Sequence, residues 1–187
     1  MVMLCLDIST NCGWAYGVPW SGVPRMVVGT WKLPKGATHQ QRSHAIAREL
    51  AGFLRGQPVD IAGIEIPQKG MAPRIVKTVG EMGDEFSTIK GGTLDSQNLL
   101  WSLNGAAQAV FAINSIPVRD IGVKEWRKDI FGNGNIKGDE SKRRSKAELI
   151  RYGIDVSNQD EAEAGMMLVW LNNRRGRVML EVGAQRA

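Results

Sequence analysis

The chain of 187 residues is 43% hydrophobic and 23% charged, enough apolar material for one globular domain and too much for a disordered or fibrous chain. Lysine and arginine number 24 against 19 acids, a net charge of +5 that favours a polyanionic partner without naming it. No apolar run approaches the roughly 20 residues of a membrane span, and Cys5 and Cys12 have neither CxxC spacing nor a histidine cluster, so the pair reads as small buried hydrophobes in a soluble, cytoplasmic protein.

In chain order, Val2 to Ile8, Trp14 to Val18 and Met26 to Trp31 predict three consecutive strands joined by tight turns. Ala45, Ile46, Leu50, Phe53 and Leu54 fall at helical spacing between Thr38, placed to cap, and Gly56 and Pro58, placed to stop. Val59 to Ile66 reads as a fourth, buried strand, reached by a crossover that makes it parallel to a neighbour. The glycine-rich stretch from Pro67 to Thr93 shows no clear period and is expected to be a long surface loop. A helix from Asp95 to Asn114 follows, with Leu99, Leu103, Ala107 and Phe111 in its apolar stripe, and Trp101 is assigned to the core or a dimer contact. Then come a fifth strand at Ile116 to Ile121, a short helix at Val123 to Phe131, a turn at Gly132-Asn133-Gly134, and helices at Ser141 to Tyr152 and Gln159 to Asn172. The class is α/β, a domain over residues 1–173 with a basic tail over 174–187.

Two acids sit where acids are costly. Asp7 interrupts the apolar run Met3 to Ile8, and Glu65 lies between Ile64 and Ile66, so each needs a partner or a cation. A third group opens the last helix: Asp160 and Glu163 are three apart and share a face, whereas Glu161 diverges by ~100° and is expected to be an exposed first-turn acid. Acids converging from two strands and a helix suit hard divalent cations and two-metal displacement at phosphorus. The plainer readings are that Asp7 caps a turn through Ser9 and Thr10, that Glu65 pairs with a lysine, and that Asp160 and Glu161 complement a helix dipole.

A basic segment precedes that helix. Lys137, Lys142, Arg143, Arg144, Lys146 and Arg151 outnumber Asp139, Glu140 and Glu148, and a ridge of Lys137, Lys142, Arg143, Arg144 and Lys146 is expected to contact DNA phosphates. His39 and His44 fall on or near a polar helix side and are expected to be exposed rather than ligands.

Four segments together resemble the RuvC-like Holliday junction resolvases of the RNase H-like nuclease superfamily. They are Leu6-Asp7-Ile8-Ser9-Thr10 running on through Gly13-Trp14 to Gly17; Ile64-Glu65-Ile66; Val123-Lys124 with Gly132-Asn133-Gly134 and Lys142 to Lys146; and Asp160-Glu161-Ala162-Glu163-Ala164. The resemblance implies an RNase H-like fold with a mixed five-stranded sheet flanked by helices. It makes Asp7, Glu65, Asp160 and Glu163 the catalytic, metal-binding carboxylates for Mg²⁺ or Mn²⁺, and Lys124 a further DNA contact. It implies a homodimer acting on branched DNA, chiefly four-way junctions, in a bacterial or phage-infected cell, and leaving 5′-phosphate ends. The chain departs from cellular members in carrying Glu163 where Asp is usual and in a longer segment between Glu65 and Asp95, as expected of a phage or mobile-element branch. The alternatives are a related nuclease acting on flaps or RNA-containing duplexes, and a non-catalytic junction-binding protein. An actin-like sugar kinase is disfavoured by length.

Overall fold

The computed structural model describes residues 1–23, 25–67, 74–79, 85–90 and 94–174. Strands β1 (Met3–Asp7), β2 (Asn11–Val18) and β3 (Arg25–Lys32) form an antiparallel meander, and helix α1 (His39–Gly56) returns the chain to β4 (Ile61–Glu65), which lies parallel to β1. Helix α1 starts on a capping box: the Gln41 N–H donates to Thr38 Oγ1 at 3.3 Å, and the Thr38 N–H donates to Gln41 Oε1 at 2.9 Å.

The stretch after β4 corrects the expected loop. It contains an antiparallel hairpin, β5 (Arg74–Val79) with β6 (Glu85–Lys90), separate from the main sheet. The sequences RIVKTV and EFSTIK are rich in β-branched residues at strand spacing, but the glycines around them obscure that pattern when the whole stretch is read as one. Helix α2 (Leu94–Ile113) then leads to β7 (Val118–Ile121), parallel to β4, so the five-stranded mixed sheet has the order β3-β2-β1-β4-β7. Three helices complete the chain: α3 (Val123–Phe131), α4 (Gly138–Arg151) and α5 (Gln159–Asn173). Helix α4 begins three residues before the expected Ser141, with Asp139 and Glu140 in its first turn, where they complement the helix dipole. The expected basic tail lies outside the described residues, apart from Arg174.

Alternation along the strands divides the core in two. Leu4, Leu6, Ala62 and Ile64 pack under α1 and α2 with Ile46, Leu50, Leu103 and Phe111. Met3, Cys5, Ile61 and Ile121 face α5, with Trp126 of α3 and Leu149 of α4 behind it. From Glu161 to Asn172 every residue of α5 is buried, which places this helix between the sheet and α4. A side chain at Gly165 would collide with Leu149, so glycine sets how closely α4 approaches α5. Cys5 and Cys12 are both buried and unbridged. Among the described residues no helix is long and apolar enough to cross a membrane.

Candidate active site

The same alternation aims two carboxylates at one place. Met3 and Cys5 face α5, and the next residue on that face of β1 is Asp7; Ile61 and Gly63 face α5, and the next on β4 is Glu65. Because β1 and β4 are parallel and Leu6 is in register with Ile64, the two acids end neighbouring strands side by side. Such carboxyl ends of parallel strands are where open α/β sheets place their sites.

Helix α5 brings the other two. Asn158 caps it, its side chain accepting from the N–H groups of Asp160 at 3.0 Å and Glu161 at 2.9 Å. The first turn rests on Gly13, the antiparallel partner of Asp7; a Cβ there would fall on the Asp160 carbonyl. Glycine at 13 is therefore what lets Asp160 and Glu163 approach the strand acids.

The four acids form one electrostatic unit. Burial, then the charges of Glu65 and Glu163, push the Asp7 carboxyl well above the usual carboxylate range; Asp160 adds to this and Lys142 opposes it. Glu65 is pushed up to about 7, by burial first, against the pull of its hydrogen bond from Trp126 and the charges of Arg127 and Lys142. Burial alone would lower the Lys142 ammonium, but its bond to Asp160 and the charges of Asp160, Asp7 and Glu163 leave it raised.

Each acid engages its neighbours differently. Trp126 Nε1 donates to Glu65 Oε2 at 2.9 Å, and Lys142 Nζ donates to Asp160 Oδ1 at 2.8 Å. Arg127 Nη2 at 3.0 Å and Ser141 Oγ at 2.8 Å both donate to Glu163 Oε1. Among the described residues no donor bonds Glu65 Oε1, Asp160 Oδ2, Glu163 Oε2 or either oxygen of Asp7. No three acids, histidines or cysteines among the described residues stand close enough together to ligate one ion. Lys142 bonds Asp160 and Arg127 bonds Glu163, and the charges of Glu65, Glu163 and Asp160 all act on Asp7. The donor set fits a hard divalent cation: it is carboxylate oxygen throughout, at least one oxygen of each acid is without a donor among the described residues, and the four carboxylates share two neighbouring cations, Arg127 and Lys142.

Glu161 corrects the expectation of an exposed acid. It points away from those four acids, as helix geometry requires, but is only 7% exposed. Its Oε1 accepts from Thr30 Oγ1 and Asn158 Nδ2, both at 2.9 Å, and its Oε2 from the Ser157 N–H at 2.7 Å. It ties the start of α5 to β3.

The basic segment divides as well. Lys142 turns inward to Asp160, whereas Arg143 and Arg144 lie outside and both pair with Glu140 at 2.6 Å. Lys124 and Lys137 are exposed, and Lys146 is half-buried. A cleft of about 520 Å³ runs beside Glu65, with Leu100, Lys124, Arg127 and Asn135 in its walls. Phe111 is buried, but Trp101 is 42% exposed and so does not belong to the core. His44 is exposed, and His39 pairs with Asp95 at 3.2 Å. The Asp7 turn is capped by Ser9, whose Oγ accepts from the Asn11 N–H at 3.2 Å.

Sequence reasoning missed Trp126, Arg127 and Ser141. Arg127 carried a signal: it follows Trp126 and stands four residues after Val123 on the packed side of α3, where a cation requires an anion.

No family model and no curated protein matches the chain. Solved structures do. The structure of Thermus thermophilus RuvC aligns over 94% of this chain and 96% of its own, with TM-score 0.63 and 14% identity. T. thermophilus RuvC in complex with Holliday junction substrate aligns over 90% and 91%, at 0.62 and 11%. The yeast mitochondrial Holliday junction resolvase Ydc2 aligns over 96% of this chain and 80% of its own, at 0.54 and 10%. At such identities the likeness is one of architecture: along most of its length the chain has the RuvC-type, RNase H-like fold.

Proposed function

We propose that the chain is a divalent-metal-dependent endonuclease that cuts DNA at four-way or related branched junctions, with Asp7, Glu65, Asp160 and Glu163 as ligands for Mg²⁺ or Mn²⁺. The observation that carries this reading is that four buried or half-buried acids from three elements each keep at least one carboxylate oxygen without a donor among the described residues. Four acids gathered without such a purpose would only weaken the fold and repel DNA. A divalent cation held by these carboxylates would supply an activated water and stabilise the leaving 3′ oxygen.

The chain's own groups do the rest. Trp126 fixes one oxygen of Glu65, and Arg127 with Ser141 fixes one of Glu163, so the remaining oxygens are oriented before any ligand arrives. Lys124, Lys137, Arg143, Arg144 and Lys146 supply positive charge for phosphates around an acidic centre that would otherwise repel them. Branched DNA as substrate is supported by the similar RuvC having been observed with Holliday junction substrate. A junction with two-fold symmetry calls for two such sites, hence a homodimer.

The test is cleavage of an end-labelled four-way junction with Mg²⁺ and with chelator, against flap and RNA-containing duplexes. Mg²⁺-dependent cutting of the junction is expected, and Asp7→Asn should lower it by at least ~10²-fold while junction binding persists. Cutting that survives chelation, or survives Asp7→Asn, overturns the assignment.

A further inference from the structure

Lys142 is placed unlike the rest of its basic segment. Its neighbours Arg143 and Arg144 face outward on Glu140, but its own ammonium reaches Asp160 Oδ1 at 2.8 Å, and its charge also acts on Asp7, Glu65 and Glu163. One positive charge thus serves all four acids. With Lys142 seated on Asp160, no three of those acids among the described residues stand close enough to hold one ion.

The two cations of the site also differ in how firmly they are held. Arg127 is nearly buried: it lies over the Trp126 ring at 5.4 Å, donates to the Ile136 carbonyl at 3.5 Å and bonds Glu163 at 3.0 Å. Lys142 has a side chain 32% exposed, one side-chain hydrogen bond among the described residues, and a flexible stem that can carry its ammonium into water. Arg127 is therefore built to stay and Lys142 to leave.

We propose that Lys142 is the resident counter-ion of the acid cluster, holding its charge balance in the metal-free protein and withdrawing from Asp160 when a divalent cation binds. It is a positioning residue, acting through Asp160, and the proposal rests on the metal-binding reading above. Metal affinity is then the outcome of a competition within the chain: the ion displaces a lysine as well as its own water. Folding no longer depends on metal, because the acids are never left to repel one another unopposed.

The competition can be read without DNA or activity. Ca²⁺ or Mn²⁺ is titrated calorimetrically into metal-free wild type, Lys142→Met and Lys142→Arg. Removing the competing charge should tighten the ion's Kd by about tenfold in Lys142→Met, while Lys142→Arg, which keeps the charge, should stay near or weaker than wild type. Lys142→Met should also melt below wild type without metal and regain most of the difference in saturating Ca²⁺, which a merely structural lysine would not do. Binding by wild type with an unchanged or weaker Kd in Lys142→Met overturns this inference alone; no binding by wild type overturns the metal-binding reading with it. Should Lys142→Met not fold, wild type still decides the matter. The acetylation rate of Lys142, read by mass spectrometry, should rise several-fold in saturating Ca²⁺, and an unchanged or slower rate refutes displacement.

Discussion

Glu161 and Glu163 stand two residues apart at the start of one helix, and both are almost fully buried, at 7% and 3% exposure. Glu161 is surrounded by donors on both oxygens, from Thr30, Asn158 and Ser157, and has no acid partner among them. Glu163 has both its donors on a single oxygen and shares its surroundings with Asp7 and Glu65. Burial alone therefore does not distinguish the two carboxylates. What separates the two is whether the hydrogen bonds are completed by the fold or left half made.

Neutralising each acid in turn should separate their roles. Glu163→Gln should lower Mg²⁺-dependent junction cleavage by ~10²-fold or more, and Glu161→Gln should retain most of it, measured as single-turnover rates. If the loss follows Glu161 instead, the roles assigned to the two acids are reversed.

The cluster around Glu163 should also show itself in the pH dependence of stability. The Asp7 and Glu65 carboxyls are raised in the fold, Glu65 to about 7 from an ordinary 4.5, so folding favours their protonated forms. That contribution is fully present below about pH 4.5 and is lost as pH rises through about 7, by up to ~3 kcal/mol for Glu65. Thermal melts of metal-free protein across this range should fall with rising pH, and saturating Mg²⁺, which favours the ionised forms, should flatten the decline. A flat metal-free profile would contradict the coupling.

For Glu161 the effect should be on the fold. An amide in its place turns a donor toward either the Ser157 N–H or the Thr30 and Asn158 donors, leaving a part-buried bond unmade, so Glu161→Gln should cost about 2 kcal/mol in denaturant unfolding. A loss below about 0.5 kcal/mol would place Glu161 outside the frame. The smallest effect concerns the outer cations: Arg143→Ala with Arg144→Ala should weaken junction binding about equally across sequences and reduce the slope of log affinity against log salt by ~0.9 for each phosphate no longer neutralised. An unchanged slope assigns both arginines to Glu140 alone.

The sheet and the acid positions are legible in the sequence because each rests on a local pattern. An aspartate within Met3–Ile8 and a glutamate between two isoleucines violate the apolar rule of their strands, and strand parity sends both to the face of α5. The spacing of Asp160 and Glu163 likewise follows from helix geometry. The partners of these acids are not legible, since Trp126 meets Glu65 across 61 positions and Arg127 meets Glu163 across 36, and no single-sequence period encodes such separations. Lys142 reads with Arg143 and Arg144 as one ridge because composition does not distinguish the inner from the outer face of α4. The buried Ser141 and Ser145, on either side of Lys142 in the chain, reveal where that helix packs. The β5–β6 hairpin escapes a sequence reading because short strands between glycines have too few residues to establish a period.

Anomalous diffraction from crystals soaked in Mn²⁺ would show whether Asp7, Glu65, Asp160 and Glu163 hold the metal and Glu161 does not. A manganese peak ligated by the oxygens of these four carboxylates that carry no donor bond, with Lys142 withdrawn from Asp160, is expected. Manganese bound at Glu161, or no ordered manganese among the four acids at saturating concentration, would contradict it.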